Sequence, residues 1–412
     1  MPSKVRGFFA GSQITQPPPT RTIPSCGGCG LHKKCQSPKM PITGDGRRGV
    51  LFVAEAPGEE EDEKGIQLIG KSGKYLRRVL QSLDFDLDED AWKTNALICH
   101  PPDGRKPTGD EIRACRPNLD QAIQELKPHT IIPLGQSAVS AVISPVWQED
   151  VGPMAQWAGW QIPSQALNAW ICPTWHPAHL LREDNPVLDR QFEAHLQNAI
   201  AHEGCPWPEN LPRWADIVRR ELDTNVAAAW LRKATTAKTG AIAWDYETNM
   251  LKPDGLDAQI VSCSVAWGRK EPERCIAFPW HGEAIKAMGE LLQSSIPKIA
   301  SNLKFEERWT LKEFGFQVKR WAWDTMVAAH VCDNRPGITS VKFQGFVRLG
   351  VPLWNKRVEP FLTTKGNQKI NQILREIDMM DLLQYNGLDS IVEFRVAVDQ
   401  MKELNYELPW NM

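Results

Sequence analysis

The sequence predicts two α/β domains in tandem, the first on a mainly parallel sheet and the second on a mixed one. Three observations predict it. The chain has 412 residues, more than one ordinary core accommodates. Apolar β-type runs alternate with helical spacings twice along it, on either side of a stretch from Cys205 to Pro212 that contains Pro206, Pro208 and Pro212. In the second alternation three strands precede the helices, an order that suits a mixed sheet.

Taken in order, residues 1–25 carry Pro17-Pro18-Pro19 and read as a flexible arm. Val50-Leu51-Phe52-Val53-Ala54 has the continuous apolar character of a strand covered on both faces. Leu76, Val79, Leu80 and Leu83 recur at helical spacing just after Lys71-Ser72-Gly73, and Ala96-Leu97-Ile98 reads as another short strand. Thr108 and Glu111 have capping-box spacing and open a helix through Ile112, Leu119, Ile123 and Leu126, which Pro128 stops. A strand at Thr130 to Leu134, a helix from Gln136 and a strand at Trp170-Ile171-Cys172 complete the first domain, expected over residues 26–205. Residues 206–213 are the expected linker, and 214–412 the second domain, opening with strands at Gly240 to Tyr246, Gln259 to Trp267 and Arg274 to Trp280.

Composition narrows the function classes. A formal charge of −2 gives no global basic field, so contact with nucleic acid must come from local patches. No apolar run approaches the roughly 20 residues of a membrane span, and Met1-Pro2-Ser3-Lys4-Val5-Arg6 lacks the apolar core of a signal peptide, so the expectation is a cytoplasmic protein with no membrane partner. Thiols stay reduced there, and ten cysteines, five of them before residue 116, point to metal ligation. Seventeen tryptophans are expected mainly in cores and interfaces, with a few stacking on bases.

The second domain carries a carboxylate constellation. Asp245 and Glu247 close the run Gly240-Ala241-Ile242-Ala243-Trp244, and residues i and i+2 of a strand share a face. Tyr385 and Asp389 are neighbours at helical i, i+4 spacing. Glu306, in Asn302-Leu303-Lys304-Phe305-Glu306, and Asp324 accompany them. Carboxylates at the end of a buried strand are costly unless a cation compensates, and two Mg²⁺ or Mn²⁺ ions held this way suit phosphodiester hydrolysis. These residues resemble the tyrosine-containing DEDD 3′→5′ exonuclease domain of family A DNA polymerases, of RNase H-like fold, over about residues 214–412. The resemblance implies that Asp245, Glu247 and Asp389 bind metal, that Glu306 supports the second ion, and that Tyr385 orients the attacking water. Glu306 stands where that family usually has Asp, and Asp324 matches a structural Asp-Thr-Met string.

In the first domain Cys26-Gly27-Gly28-Cys29 is a CxxC loop, and Cys99 and Cys115 form a second pair; four thiolates fit Zn²⁺ or a [4Fe–4S] cluster equally well by spacing. Around them lie Ala54-Glu55-Ala56-Pro57-Gly58, the acidic run Glu59 to Asp62, a Gly-containing loop before a helix, Asn95, and Trp175-His176-Pro177-Ala178 followed by Leu180-Leu181-Arg182. A strand, a Gly loop and a helix N-terminus favour an anion or polar heterocycle at the sheet edge. This set resembles the family 4 uracil-DNA glycosylases, over about residues 26–202. The resemblance implies one [4Fe–4S] cluster on Cys26, Cys29, Cys99 and Cys115, with Cys35 spare. It implies that Asn95 reads a flipped uracil, Glu55 or Glu61 positions water, His176 stabilises the departing uracil anion, and Leu180, Leu181 and Arg182 fill the vacated stack and hold phosphate. Leu68 stands where that family has a stacking Phe.

Together the two resemblances imply a DNA-processing chain arranged like the front half of certain phage polymerases. Its expected partners are single-stranded DNA 3′ ends, uracil-containing DNA and a polymerase on another chain, in the cytoplasm of a bacterial or phage-infected cell. Its rivals are a bifunctional uracil-repair enzyme and a chain whose first domain only binds DNA or docks a polymerase.

Overall fold

A computed structural model describes residues 26–147, 150–208, 213–236, 240–362, 370–374 and 377–406; the arm expected over 1–25 and residues 209–212 of the expected linker lie outside them. The chain forms two compact units, Met1–Val142 with Cys172–Gly204 and Ile143–Ile171 with Cys205–Met412.

The first sheet contains β1 (Val50–Ala54), β2 (Ala91–Asn95), β3 (Thr130–Pro133), β4 (Ile162–Ser164) and β5 (Ala169–Ile171) in the order β2-β1-β3-β5-β4. β1 runs parallel to β2 and β3 and is buried along its whole length, whereas β4 is antiparallel to β5. Between and after the strands lie α1 (Glu59–Lys64), α2 (Lys71–Gln81), α3 (Gly109–Leu126), α4 (Gln136–Trp147), α5 (Met154–Trp157), α6 (Pro177–Glu183) and α7 (Pro186–Ile200). α3 starts as expected: Thr108 Oγ1 accepts from Glu111 N at 3.2 Å, and the Glu111 carboxylate accepts from Thr108 N at 2.8 Å. The strand expected at Ala96-Leu97-Ile98 lies earlier, at Ala91–Asn95. Its polar residues hid it: Lys93 is buried in the strand and paired with Asp88, so the sheet position does not look apolar in sequence.

The second sheet contains β6 (Val218–Arg220), β7 (Ala241–Thr248), β8 (Ile260–Gly268), β9 (Pro272–Pro279), β10 (Lys298–Ala300) and β11 (Trp321–Asp324), ordered β11-β10-β7-β8-β9-β6. β7, β8 and β9 form an antiparallel meander, while β10 runs parallel to β7 and β11, and β6 parallel to β9. The helices are α8 (Trp214–Ile217), α9 (Thr224–Thr236), α10 (Glu283–Leu292), α11 (Leu303–Phe314), α12 (Thr325–Cys332), α13 (Val341–Leu349), α14 (Glu359–Leu362) and α15 (Met379–Glu403).

Alternation along β7 positions the chemistry. Trp244 and Tyr246 join Leu231, Met288 and Leu291 in the core under α9 and α10, whereas Ala241 and Ala243 pack against Phe394, Ala397 and Met401 of α15. Asp245 and Glu247 share the parity of Ala241 and Ala243, which turns them toward α15. α15 lies close on the sheet because Gly387 has no side chain: a Cβ there would come within 2.4 Å of Val218 Cγ1. The second unit also takes in the end of α4 and all of α5, where Trp147 and Trp157 lie 5.1 Å from Phe346 and Phe343 respectively. Among the described residues no helix is long and apolar enough to cross a membrane.

Candidate functional site

The second unit brings Asp245, Glu247 and Asp389 together, with ligand oxygens all within 4.8 Å of one another. Asp245 and Asp389 are each held by a neighbour. Asn386 Nδ2 donates to Asp245 Oδ2 at 2.7 Å, and Ser262 Oγ holds the Asn386 carbonyl at 3.1 Å, so the amide cannot turn round. Trp354 Nε1 donates to Asp389 Oδ1 at 3.0 Å. Tyr385 stands beside Asp389, one turn earlier on α15. Lys342 of α13 donates to the Tyr385 hydroxyl at 2.8 Å and lies 3.7 Å from Asp389 Oδ1.

Burial and mutual repulsion set the electrostatics. Burial first, then the charge of Asp389, pushes the Asp245 carboxyl up to about 7. Glu247 is driven well above the usual carboxylate range by burial and then by Asp245, and Asp389 is raised by burial against the opposing pull of Lys342. A metal fits this donor set: oxygen ligands, too close to ionise together without a cation.

Glu306, the fourth residue of α11, is buried near this group, its carboxyl raised by burial and then by the Asp245 charge, and its Oε2 has no hydrogen-bond partner among the described residues. Asp324 has a structural task. It accepts from Asn302 N and Leu303 N at 3.1 and 3.0 Å and from Met326 N and Val327 N at 2.9 and 3.1 Å, clamping the starts of α11 and α12 together.

A pH prediction follows from these shifts. In the unfolded chain such carboxyls lose their protons near pH 4, whereas folded Asp245 keeps its proton to about 7. Between those values the folded state binds more protons, so without divalent cations stability falls as pH rises through this window. Mg²⁺ should therefore raise the melting temperature of the second unit clearly at pH 8 and little at pH 5, measured by scanning calorimetry. Equal shifts at both pH values would detach the cation effect from these carboxylates.

In the first unit, the C-terminal ends of β1, β2 and β3 and the start of α6 gather the other candidates. Asn95 closes β2, and its Nδ2 donates to the buried Gln67 Oε1, which orients the amide. Leu68 follows Gln67, is buried, and has φ 53°, an uncommon setting for a branched side chain. Glu55 is half-buried and accepts from Ser137 Oγ at 2.7 Å. His176 caps α6, its Nδ1 accepting from Ala178 N at 3.1 Å, and burial lowers its pKa. A neutral ring with Nδ1 accepting carries its proton on Nε2, an aimed donor.

Two candidates narrow. Glu61 has both oxygens occupied, accepting from Gly58 N at 3.1 Å, Ile69 N at 2.9 Å and Gly70 N at 2.7 Å, so it shapes the loop. Leu180 is 2% exposed whereas Leu181 is 47% exposed, so only Leu181 is presented outward, beside exposed Arg182. The acidic run is exposed at Glu59 but buried at Asp62, which accepts from Gln36 N and Ser37 N at 2.9 and 2.8 Å, pinning the loop that carries Cys35.

Cys26, Cys29, Cys35, Cys99 and Cys115 meet around Leu31, Leu97 and Ile98. Cys115 Sγ accepts from Ile98 N at 3.4 Å and Asn118 Nδ2 at 3.5 Å, and Cys99 Sγ accepts from Lys39 N at 3.3 Å. Burial pushes Cys99 up to about 12 and Cys115 to about 11. Thiols held neutral by burial yet met by N–H donors suit a metal group that would ionise them.

Lys342, Trp354, Asn386, Gln67 and Ser137 escaped sequence reasoning. Each acts through residues distant in the chain, and none sits in a local pattern that marks it.

Comparison with known proteins matches both units. A family model for the uracil DNA glycosylase superfamily covers residues 41–201, and one for a 3′-5′ exonuclease covers residues 220–402. The type-4 uracil-DNA glycosylase of Saccharolobus solfataricus is 33% identical over 172 residues, 39% of this chain and 78% of that protein. The type-4 uracil-DNA glycosylase of Pyrobaculum aerophilum is 35% identical over 180 residues, 42% of this chain and 87% of that protein. A DNA polymerase of Bacillus phage SP01 is 24% identical over 325 residues, 72% of this chain but 34% of the polymerase. Among solved structures, Escherichia coli RNase D aligns over 46% of this chain and 45% of its own at 15% identity and a TM-score of 0.35. The chain therefore belongs, through its first unit, to the type-4 uracil-DNA glycosylase family, and joins to it a 3′-5′ exonuclease domain.

Proposed function

We propose that this chain removes nucleotides from the 3′ end of single-stranded DNA with two Mg²⁺ or Mn²⁺ ions, serving a polymerase on another chain, and that its first domain, built around a [4Fe–4S] cluster, excises uracil slowly. The observation that carries the exonuclease reading is the gathering of Asp245, Glu247 and Asp389 within 4.8 Å beside Tyr385. Asp245, Glu247 and Asp389 would hold the cations, with Glu306 supporting the second. Such a pair supplies an activated water and stabilisation for the leaving 3′ oxygen. Tyr385, held by Lys342, orients the attacking water, while Asn386 and Trp354 keep Asp245 and Asp389 in place.

In the first domain, Cys26, Cys29, Cys99 and Cys115 would hold the cluster, which ties the loop before β1 to the end of β2 and to α3. Asn95 reads the pairing edge of a flipped base, Glu55 positions water, and His176 offers Nε2–H to the departing uracil anion. Leu181 enters the vacated stack, and Arg182 holds phosphate. Leu68 in the stacking position forgoes an aromatic contact worth about 1–3 kcal/mol, which is why excision is slow.

One gel assay tests both halves, using 3′- and 5′-labelled single strands with and without an internal uracil. Digestion from the 3′ end should need Mg²⁺ and stop in EDTA. In an Asp245→Ala, Asp389→Ala background, alkali should cut at the uracil, faster for Leu68→Phe and slower for His176→Ala. No alkali-labile product from the parent or from Leu68→Phe, with iron content intact, would leave the first domain as a DNA-binding or docking module, the reading that Leu68 favours.

A further inference from the structure

Gln67 is fully buried, and its amide is tied at both ends. Nε2 donates to Pro41 O at 3.2 Å, and Oε1 accepts from Asn95 Nδ2. Pro41 O is itself held in place. Met40 N donates to Ile98 O at 2.8 Å, and Thr43 exchanges two backbone hydrogen bonds with Lys93 of β2, at 2.8 and 3.1 Å. The segment on either side of Pro41 is thus fastened to the strand that ends in Asn95 and to the residues just beyond it. The backbone after Gln67 is held as well: Leu68 O accepts from Arg77 Nη1, and Ile69 N and Gly70 N donate to Glu61.

The chemistry of this relay runs one way. A carbonyl oxygen only accepts, so Pro41 O takes the amino end of Gln67 and turns the carbonyl end, Oε1, toward Asn95. An oxygen in that place needs a donor, which turns Asn95 Nδ2 toward Gln67. The reversed Asn95 amide would set two oxygens against each other where Asn95 is only 3% exposed. One hydrogen of Nδ2, and the acceptor Oδ1, then remain for a base. That pair matches uracil, which presents an N3–H donor beside the O4 acceptor, and opposes cytosine, which presents an N3 acceptor beside an amino donor. We propose that Gln67 is a positioning residue that sets the base specificity of the first domain, holding Asn95 in the one amide orientation that accepts uracil and rejects cytosine. The inference rests on the reading of Asn95 as the residue that meets a flipped base.

The test is equilibrium dialysis of radiolabelled uracil and cytosine against the full chain, with iron content measured alongside. The parent should bind uracil at least about 10-fold more tightly than cytosine. Gln67→Leu frees Asn95 to turn, so uracil should bind about 10-fold more weakly and the preference should fall to within about threefold. Gln67→Met, closer in length, gives the same readout should the Leu variant fold poorly. Gln67→Glu is the conservative control. Buried there, its carboxyl stays neutral, donating its O–H to Pro41 O and accepting from Asn95 Nδ2, so the uracil preference should survive. A role in packing alone would weaken both bases together and leave their ratio unchanged. A parental ratio in Gln67→Leu or Gln67→Met, or a ratio lost equally in Gln67→Glu, would overturn the role of Gln67 and leave the uracil reading standing. Parent protein that prefers neither base and forms no alkali-labile site at uracil would overturn both.

Discussion

Asp389→Ala should abolish digestion from the 3′ end, lowering the single-turnover rate by about a thousandfold or more, since metal-assisted hydrolysis loses several kcal/mol of transition-state stabilisation with a principal ligand. The geometry argues for so large an effect. Asp389 is where Tyr385, Trp354 and Lys342 converge, and it shares a 4.8 Å space with Asp245 and Glu247. Removing it deletes an oxygen ligand and leaves the ammonium of Lys342 facing the place where cations would bind. Asp245→Ala should act as strongly. Tyr385→Phe should act more mildly, leaving Mn²⁺ affinity unchanged while slowing the chemistry, because it removes only an orienting hydroxyl. Quenched-flow digestion of a labelled single strand measures all three. Parental rates in Asp389→Ala would remove this group from the active site.

The second large effect is expected in the first unit. The protein should be brown, with iron and sulfide near four each per chain as a [4Fe–4S] cluster requires. Cys26→Ser, Cys29→Ser, Cys99→Ser and Cys115→Ser should each bleach it and destabilise the unit. These four thiols join segments far apart in sequence, and without the cluster the contact around Leu31, Leu97 and Ile98 would rest on little apolar surface. Cys35→Ser should stay brown, although Cys35 lies in the same cluster, because Asp62 holds its loop independently. Colourless protein carrying one zinc ion, prepared without oxygen, would replace the cluster with a zinc site.

Much of this was legible in the sequence because it depends on short spacings. The i, i+2 pair Asp245 and Glu247 and the i, i+4 pair Tyr385 and Asp389 fix their own relative directions once strand and helix are recognised. Thr108 and Glu111 likewise define the start of α3 by chemistry local to four residues. What stayed hidden depends on tertiary approach. The strand containing Lys93 looked polar because its ammonium finds Asp88, and nothing near Lys342 announces that α13 will carry it to Tyr385. Residues 143–161 lie in sequence between strands β3 and β4 of the first sheet, yet Trp147 and Trp157 pack with Phe343 and Phe346, a preference that only the fold reveals.

Lys342 changes what cation loading means. Because its ammonium already sits 3.7 Å from Asp389, an arriving metal does not meet a bare negative pocket but exchanges with a tethered positive charge. If cations bind there, the site would work as an ion exchanger, the Lys342 ammonium taking back the place that a departing ion leaves. The chain can thus fold, and wait between encounters with DNA, without carrying its metals permanently.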